Sequence, residues 1–215
     1  MTTSMLPGRW LPTGRRSLPA LLLLASAAYG SGHLPPVHEG DILFQTSRSS
    51  QSLAIQRATH SPYSHMGIVL FKDGRPFVFE AVATVRYTPL AKWIARGQGG
   101  HYVLKRLAKA PSVLTPPNIA RLHSIARGFE GRPYDLTFEW SDRRIYCSEL
   151  VWKLYQRALR IEVGQQQRLR EFKLDDPAVQ AKLRERYGAQ IPLDEPVISP
   201  AAMFNSELLQ VVAQE

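Results

Sequence analysis

The sequence predicts an α+β domain in which an antiparallel sheet packs against helices. Strand-like apolar runs cluster between residues 42 and 107, amphipathic helical stripes follow from Pro116 onward, and an Asp-Gly dipeptide between two apolar runs marks a hairpin. Of the 215 residues, 44% are hydrophobic and 21% charged, the composition of a folded domain rather than of a disordered or fibrous chain. The single cysteine, Cys147, excludes an internal disulfide and any zinc module built on two or more thiolates.

Residues 1–28 read as a secretory signal peptide. Arg9, Arg15 and Arg16 stand without acidic neighbours, an apolar run follows from Leu18, and Ala25-Ser26-Ala27 supplies small residues for cleavage. That run is short for a hydrocarbon core of about 30 Å, so export to the periplasm or outside is expected in preference to a retained anchor. Residues 29–39 form a linker and residues 40–215 the domain. The formal charge is +9, and without the three leader arginines 24 basic residues face 18 acidic ones. These charges are dispersed rather than set in a stripe between aromatics, which argues against nucleic acid and allows only peripheral attraction to an anionic envelope surface.

Gly40-Asp41 opens a buried strand over Ile42-Leu43-Phe44, and a short helix is expected between Ser49 and Ala58. The hairpin runs Gly67–Phe71, turn Lys72–Arg75, then Pro76–Val82. Further strands are expected near Val85–Thr88 and His101–Leu107, with a helix at Ala91–Arg96 between them. Pro116-Pro117 precedes a stripe of Ile119, Leu122, Ala126 and Phe129, with proline at a tolerated first-turn position. Leu150, Val151, Leu154, Tyr155 and Ala158 mark another helix. The charged helix Asp175–Tyr187 stops at Gly188 and is assigned to solvated surface. Ile191–Pro200 is extended, and Met203–Val212 is read as a last short helix.

Cys147 stands where a helix begins, and unpaired N–H groups at that end favour a thiolate. A cysteine nucleophile also needs an imidazole base. With Asp73-Gly74 at the turn centre, residue numbers of opposed pairs sum to 147, so His65 faces Val82 and Glu80 is its diagonal neighbour on the same face. Glu80 is then placed to orient His65 and stabilise its imidazolium. A three-residue loop would shift the register by one and separate the two side chains. Plainer readings stand beside this one: Cys147 as a buried apolar residue, Glu80 on a wet strand edge, His65 satisfied within a loop. His60, His65, Glu80 and Cys147 have the donor types of a mixed zinc site, but no short-spaced ligand pair accompanies them, and no metal or organic cofactor is expected.

Gly40-Asp41, Tyr63-Ser64-His65-Met66-Gly67-Ile68-Val69, Phe79-Glu80-Ala81, Gly131-Arg132-Pro133-Tyr134-Asp135, Tyr146-Cys147-Ser148-Glu149-Leu150-Val151 and Val197-Ile198-Ser199-Pro200 occur in that order. The set resembles the circularly permuted NlpC/P60 papain-like cysteine hydrolases of the YiiX/YaeF-like group, across residues 39–212. The resemblance implies a permuted papain-like fold with its nucleophile at a helix N-terminus, Cys147 as nucleophile, His65 as base, Glu80 as third member, and Tyr146 as a supporting or oxyanion-side candidate. The expected activity is hydrolysis of an amide in cell-envelope peptide or peptidoglycan through a thioester. The same residues also suit a lipid acyl hydrolase or acyltransferase, with Trp93, Trp140 and Trp152 as candidate groove residues. A catalytically silent envelope-binding module is the non-enzymatic alternative.

Overall fold

The computed structural model describes residues 1–3 and 36–215; the expected leader beyond residue 3 and linker residues 29–35 lie outside them. In chain order the elements are β1 (Ile42–Gln45), α1 (Ser52–Thr59), β2 (His65–Lys72), β3 (Arg75–Ala81), β4 (Val85–Pro89), α2 (Leu90–Arg96), β5 (Val103–Leu107), α3 (Ala110–Val113), α4 (Pro116–Phe129), α5 (Cys147–Leu159), β6 (Gln167–Arg168), α6 (Pro177–Tyr187), β7 (Pro196–Val197), α7 (Pro200–Phe204) and β8 (Leu209–Gln214). Six strands pair antiparallel in the order β4-β3-β2-β1-β5-β8, and β6 pairs with β7 separately. Among the described residues no helix is long and apolar enough to cross a membrane.

Alternation along the central strands divides the core into two layers. Ile42, Phe44, Met66, Ile68 and Phe79 face α4 and α5, where Leu122, Leu150, Val151 and Leu154 complete the larger cluster. Leu43, Val69 and Val78 face the opposite way, under Leu90 and Trp93 of α2. A buried ion pair fixes the start of β1: Arg106 donates to both Asp41 carboxylate oxygens, Nε to Oδ1 at 2.6 Å and a terminal nitrogen to Oδ2 at 2.7 Å. The Tyr155 hydroxyl donates to the Gly40 carbonyl, tying α5 to the same point.

The hairpin follows the predicted register, with Ile68 opposite Phe79, Val69 opposite Val78 and Lys72 opposite Arg75. Asp73 and Gly74 both have positive φ, 51° and 70°, as a two-residue hairpin turn requires. Two elements differ from the sequence reading. Residues beyond Phe204 do not continue a helix: α7 ends there, and Leu209–Gln214 become the edge strand beside β5. Strand pairing outweighs the weak helical spacing of Leu208, Leu209 and Val212. The charged helix α6 is not wholly solvated, because Val179 and Leu183 are buried in the main core. Asp176 caps this helix, accepting from the Ala178 N–H at 2.8 Å.

Gly67 lies in β2 where a Cβ would come within 2.4 Å of Val78 Cγ1 and 3.2 Å of Glu80 Cβ. Gly67→Ala is therefore expected to cost about 1–3 kcal/mol through overpacking. Gly74→Ala meets open space and costs only the left-handed backbone penalty, about 1 kcal/mol. Urea unfolding of both variants checks the ranking; equal losses would remove close approach between β2 and β3 as the reason for glycine at 67.

Candidate active site

The site forms where the start of β2, β3 and the N-terminus of α5 converge. His65 is the first residue of β2, Glu80 lies in β3 and Cys147 is the first residue of α5. The antiparallel register puts His65 and Glu80 on one sheet face, and the imidazole Nε2 lies 2.6 Å from Glu80 Oε2. Cys147 lies beside His65, close enough that its side chain favours the charged imidazole. With Nε2 facing Glu80, Nδ1 is the ring nitrogen left for the sulfur. His65 thus stands between Cys147 and the Glu80 carboxylate that holds its ring.

Glu80 is completely buried. Its carboxylate accepts from Thr88 Oγ1 at 2.6 Å, from Trp93 Nε1 at 2.9 Å and from the Arg96 guanidinium, in addition to the His65 contact. Trp93 also stacks against the imidazole at 6.0 Å between centroids. Burial by itself raises the Glu80 pKa, but the bonds and charges of His65 and Arg96 outweigh it and hold the carboxyl at about 2. Burial likewise disfavours a charged imidazole; Cys147 and Glu80 reverse that and raise His65 to about 9. The arrangement keeps His65 cationic beside Cys147.

Tyr146 precedes Cys147 but its ring points into the core, where the hydroxyl accepts from the Ile198 N–H at 3.1 Å. It meets Phe138 edge-on at 5.1 Å. Tyr134 was not singled out by its spacing, yet it is close enough to Cys147 to feel its charge. Its hydroxyl accepts from Gln51 Nε2 at 2.7 Å, which leaves its own proton to donate. Trp93, Arg96 and Thr88 were also missed as partners of Glu80. Trp93 and Arg96 are three apart on a predicted helix, so they share a face, but nothing local says which strand that face covers.

An apolar cavity of about 90 Å³ opens beside Cys147, walled by Ile55, Phe138, Phe172, Leu174 and Leu183 among others. None of Trp93, Trp140 and Trp152 lines it: Trp93 serves Glu80, and the other two pack against each other at 5.3 Å. Of the residues weighed for zinc, His60 caps the far end of α1 and lines a separate surface recess. Among the described residues no group of three or more His, Cys, Asp or Glu side chains is placed to hold a metal ion.

A family model described as "Permuted papain-like amidase enzyme, YaeF/YiiX, C92 family" matches residues 36–213. An Escherichia coli K12 protein called uncharacterized protein YiiX is 54% identical over 176 residues, covering 82% of this chain and 86% of its own length. A crystal structure of an Escherichia coli O157:H7 protein, described as metalloprotein YiiX, superposes with a TM-score of 0.79 at 53% identity, covering 85% of this chain and 98% of that one.

The opposite shifts of His65 and Glu80 define a pH window. Glu80, depressed from 4.5 to about 2, contributes stability that is present above pH 4.5 and lost as pH falls toward 2. His65, raised from 6.5 to about 9, contributes stability that is complete below pH 6.5 and lost as pH rises through 9. The difference in unfolding free energy between wild type and His65→Gln should follow this window, and a flat difference from pH 5 to 10 would contradict it. Glu80→Ala, which strands Arg96 and His65, should cost about 3–5 kcal/mol.

Proposed function

From the premise that the chain belongs to the permuted papain-like amidase family, YaeF/YiiX, and is a cysteine hydrolase, we propose that it is exported and cleaves amide bonds in cell-envelope material. Cys147 is the nucleophile, His65 the proton carrier and Glu80 the group that orients His65. The placement of Cys147 beside His65, whose ring is held at 2.6 Å by the buried Glu80, carries this reading. The leader arginines and apolar run support export.

In the first step the Cys147 proton resides on His65 and the sulfur attacks the carbonyl carbon. A C–S bond forms and the carbonyl π pair moves onto oxygen. Backbone N–H groups at the start of α5 and the Tyr134 hydroxyl are the donors nearest the developing oxyanion. The intermediate collapses, the C–N bond breaks, and the leaving amine takes the proton from His65. Water then attacks the thioester, giving a proton to neutral His65, and the departing thiolate restores the starting pair. Glu80 remains ionised throughout, because four donors surround it.

One relative is described as a metalloprotein. The His, Cys, Asp and Glu side chains described in this chain do not assemble a ligand set for a metal. The lipid acyl reading has a specific observation in its favour: the apolar cavity beside Cys147 suits a hydrocarbon chain better than a sugar or a polar peptide.

Iodoacetamide labelling of Cys147 at neutral pH tests the pair. His65→Ala should slow labelling at least tenfold, and Cys147→Ala should abolish labelling and hydrolysis together. Equal labelling of wild type and His65→Ala would defeat the catalytic reading. A series of 4-nitrophenyl esters from acetate to decanoate reads the cavity: kcat/KM should rise with chain length, and Leu183→Trp should flatten the rise by filling the cavity. A series that is flat in wild type would count against an acyl site.

A further inference from the structure

Two recesses meet at the Cys147–His65 pair. Cys147 lines the apolar cavity, whereas His65 lines an open cleft of about 430 Å³ with serine-rich walls. Gln51, Tyr134, Lys182 and Arg186 border both. Besides His65 the cleft holds three basic side chains, Arg96, Lys182 and Arg186, and one acid, Glu185. Arg96 is engaged with Glu80, and Lys182 donates to Glu185 at 2.6 Å. Arg186 has no ion-pair partner among the described residues, and residues 4–35, which are not described, contain no Asp or Glu. Glu185 feels its charge but gives its hydrogen bond to Lys182.

The Arg186 guanidinium is nonetheless held in place. One terminal nitrogen donates to Gln51 Oε1, and the group lies 5.0 Å above the Phe138 ring. Gln51 in turn donates to the Tyr134 hydroxyl, and Tyr134 senses both Cys147 and Arg186. A fixed, planar guanidinium with most of its five donors unspent is suited to carboxylate or phosphate. Of the two recesses it borders, only the cleft is polar, so an anion held by Arg186 lies on the cleft side. His65 delivers its proton to the leaving amine, so the amine lies toward the cleft while the acyl group lies toward the cavity.

We propose that Arg186 binds an anionic group on the amine side of the substrate, and that the substrate is an N-acylated amino compound: an apolar acyl group for the cavity and a free carboxylate for Arg186. This rests on the cysteine amidase reading and deepens it. Helix α6, whose sequence suggests only a solvated face, then carries the residue that sets specificity.

Protection of Cys147 from iodoacetamide by N-decanoylglycine and by its neutral counterpart N-decanoylglycinamide tests the assignment without requiring turnover. In wild type the carboxylate should protect at roughly tenfold lower concentration, the equivalent of one charge-assisted contact. Arg186→Gln should erase that advantage, so that the carboxylate and the neutral amide protect at the same concentration. Arg186→Lys, which keeps charge but loses the fork, should retain part of it. Equal protection by the two ligands in wild type, or an advantage that survives Arg186→Gln, would overturn the proposal. Decyl phosphate protecting better than N-decanoylglycine would overturn the carboxylate assignment. Failure of the hydrolase reading shows elsewhere, in the unliganded labelling rates of wild type and His65→Ala.

Discussion

A carboxylate with no exposure to water organises this protein. Glu80 sits in the otherwise apolar stretch Pro76–Ala81, and an ion in that position persists only if its hydrogen-bonding capacity is filled. The donors come from three different places: His65 on β2, Thr88 on β4, and Trp93 and Arg96 on α2. Satisfying one side chain therefore fixes the register of two strand pairs and the docking of a helix. It also explains why α2 is short and follows β4 directly. The helix needs only to bring an indole and a guanidinium back over the sheet.

Cys147 arrives independently of this arrangement. Cys147 rides on α5, which packs on the opposite sheet face through Leu150, Val151 and Leu154. The His65 contact is made at the end of the sheet, where the strand start and the helix start come together. Nothing in that contact depends on which element is earlier in the chain. A permuted order, with His65 and Glu80 ahead of Cys147, preserves the site because the two layers are joined by packing rather than by the connection between them.

Much of this was legible in the sequence because it is local. Asp73-Gly74 sets the turn, the turn sets the register, and the register places His65 and Glu80 on one face before any tertiary contact is known. Cys147 at a helix start follows from the apolar stripe behind it. What was not legible depends on distant pairing. Leu209–Gln214 became a strand because β5 offers an open edge, not because of its own pattern. Helix α6 looked solvated because only Val179 and Leu183 interrupt its charges, and the cavity they help to wall is assembled from α1, α6 and the segment near Ile198. Tyr134 and Gln51 were invisible for the same reason. They are 83 residues apart and are joined by a single hydrogen bond.

The second buried glutamate shows why the donors around Glu80 matter more than its burial. Glu149, two residues after Cys147, is as inaccessible as Glu80. It receives Lys153 Nζ at 2.6 Å and a long contact from the Tyr146 N–H at 3.4 Å, and Asp135 adds negative charge nearby. Burial dominates there and raises Glu149 to about 7, so its ionisation opposes folding from pH 4.5 upward. Glu80 moves the other way, to about 2, because a guanidinium and an imidazolium share its oxygens. Burial is common to the two residues and therefore does not decide their charge. A carboxylate that lost its charge near neutrality would release His65 from its cationic state in the range where the hydrolase must work. Trp93, Thr88 and Arg96 thus act on His65 at one remove: they keep Glu80 ionised, and Glu80 keeps the imidazole beside Cys147 charged.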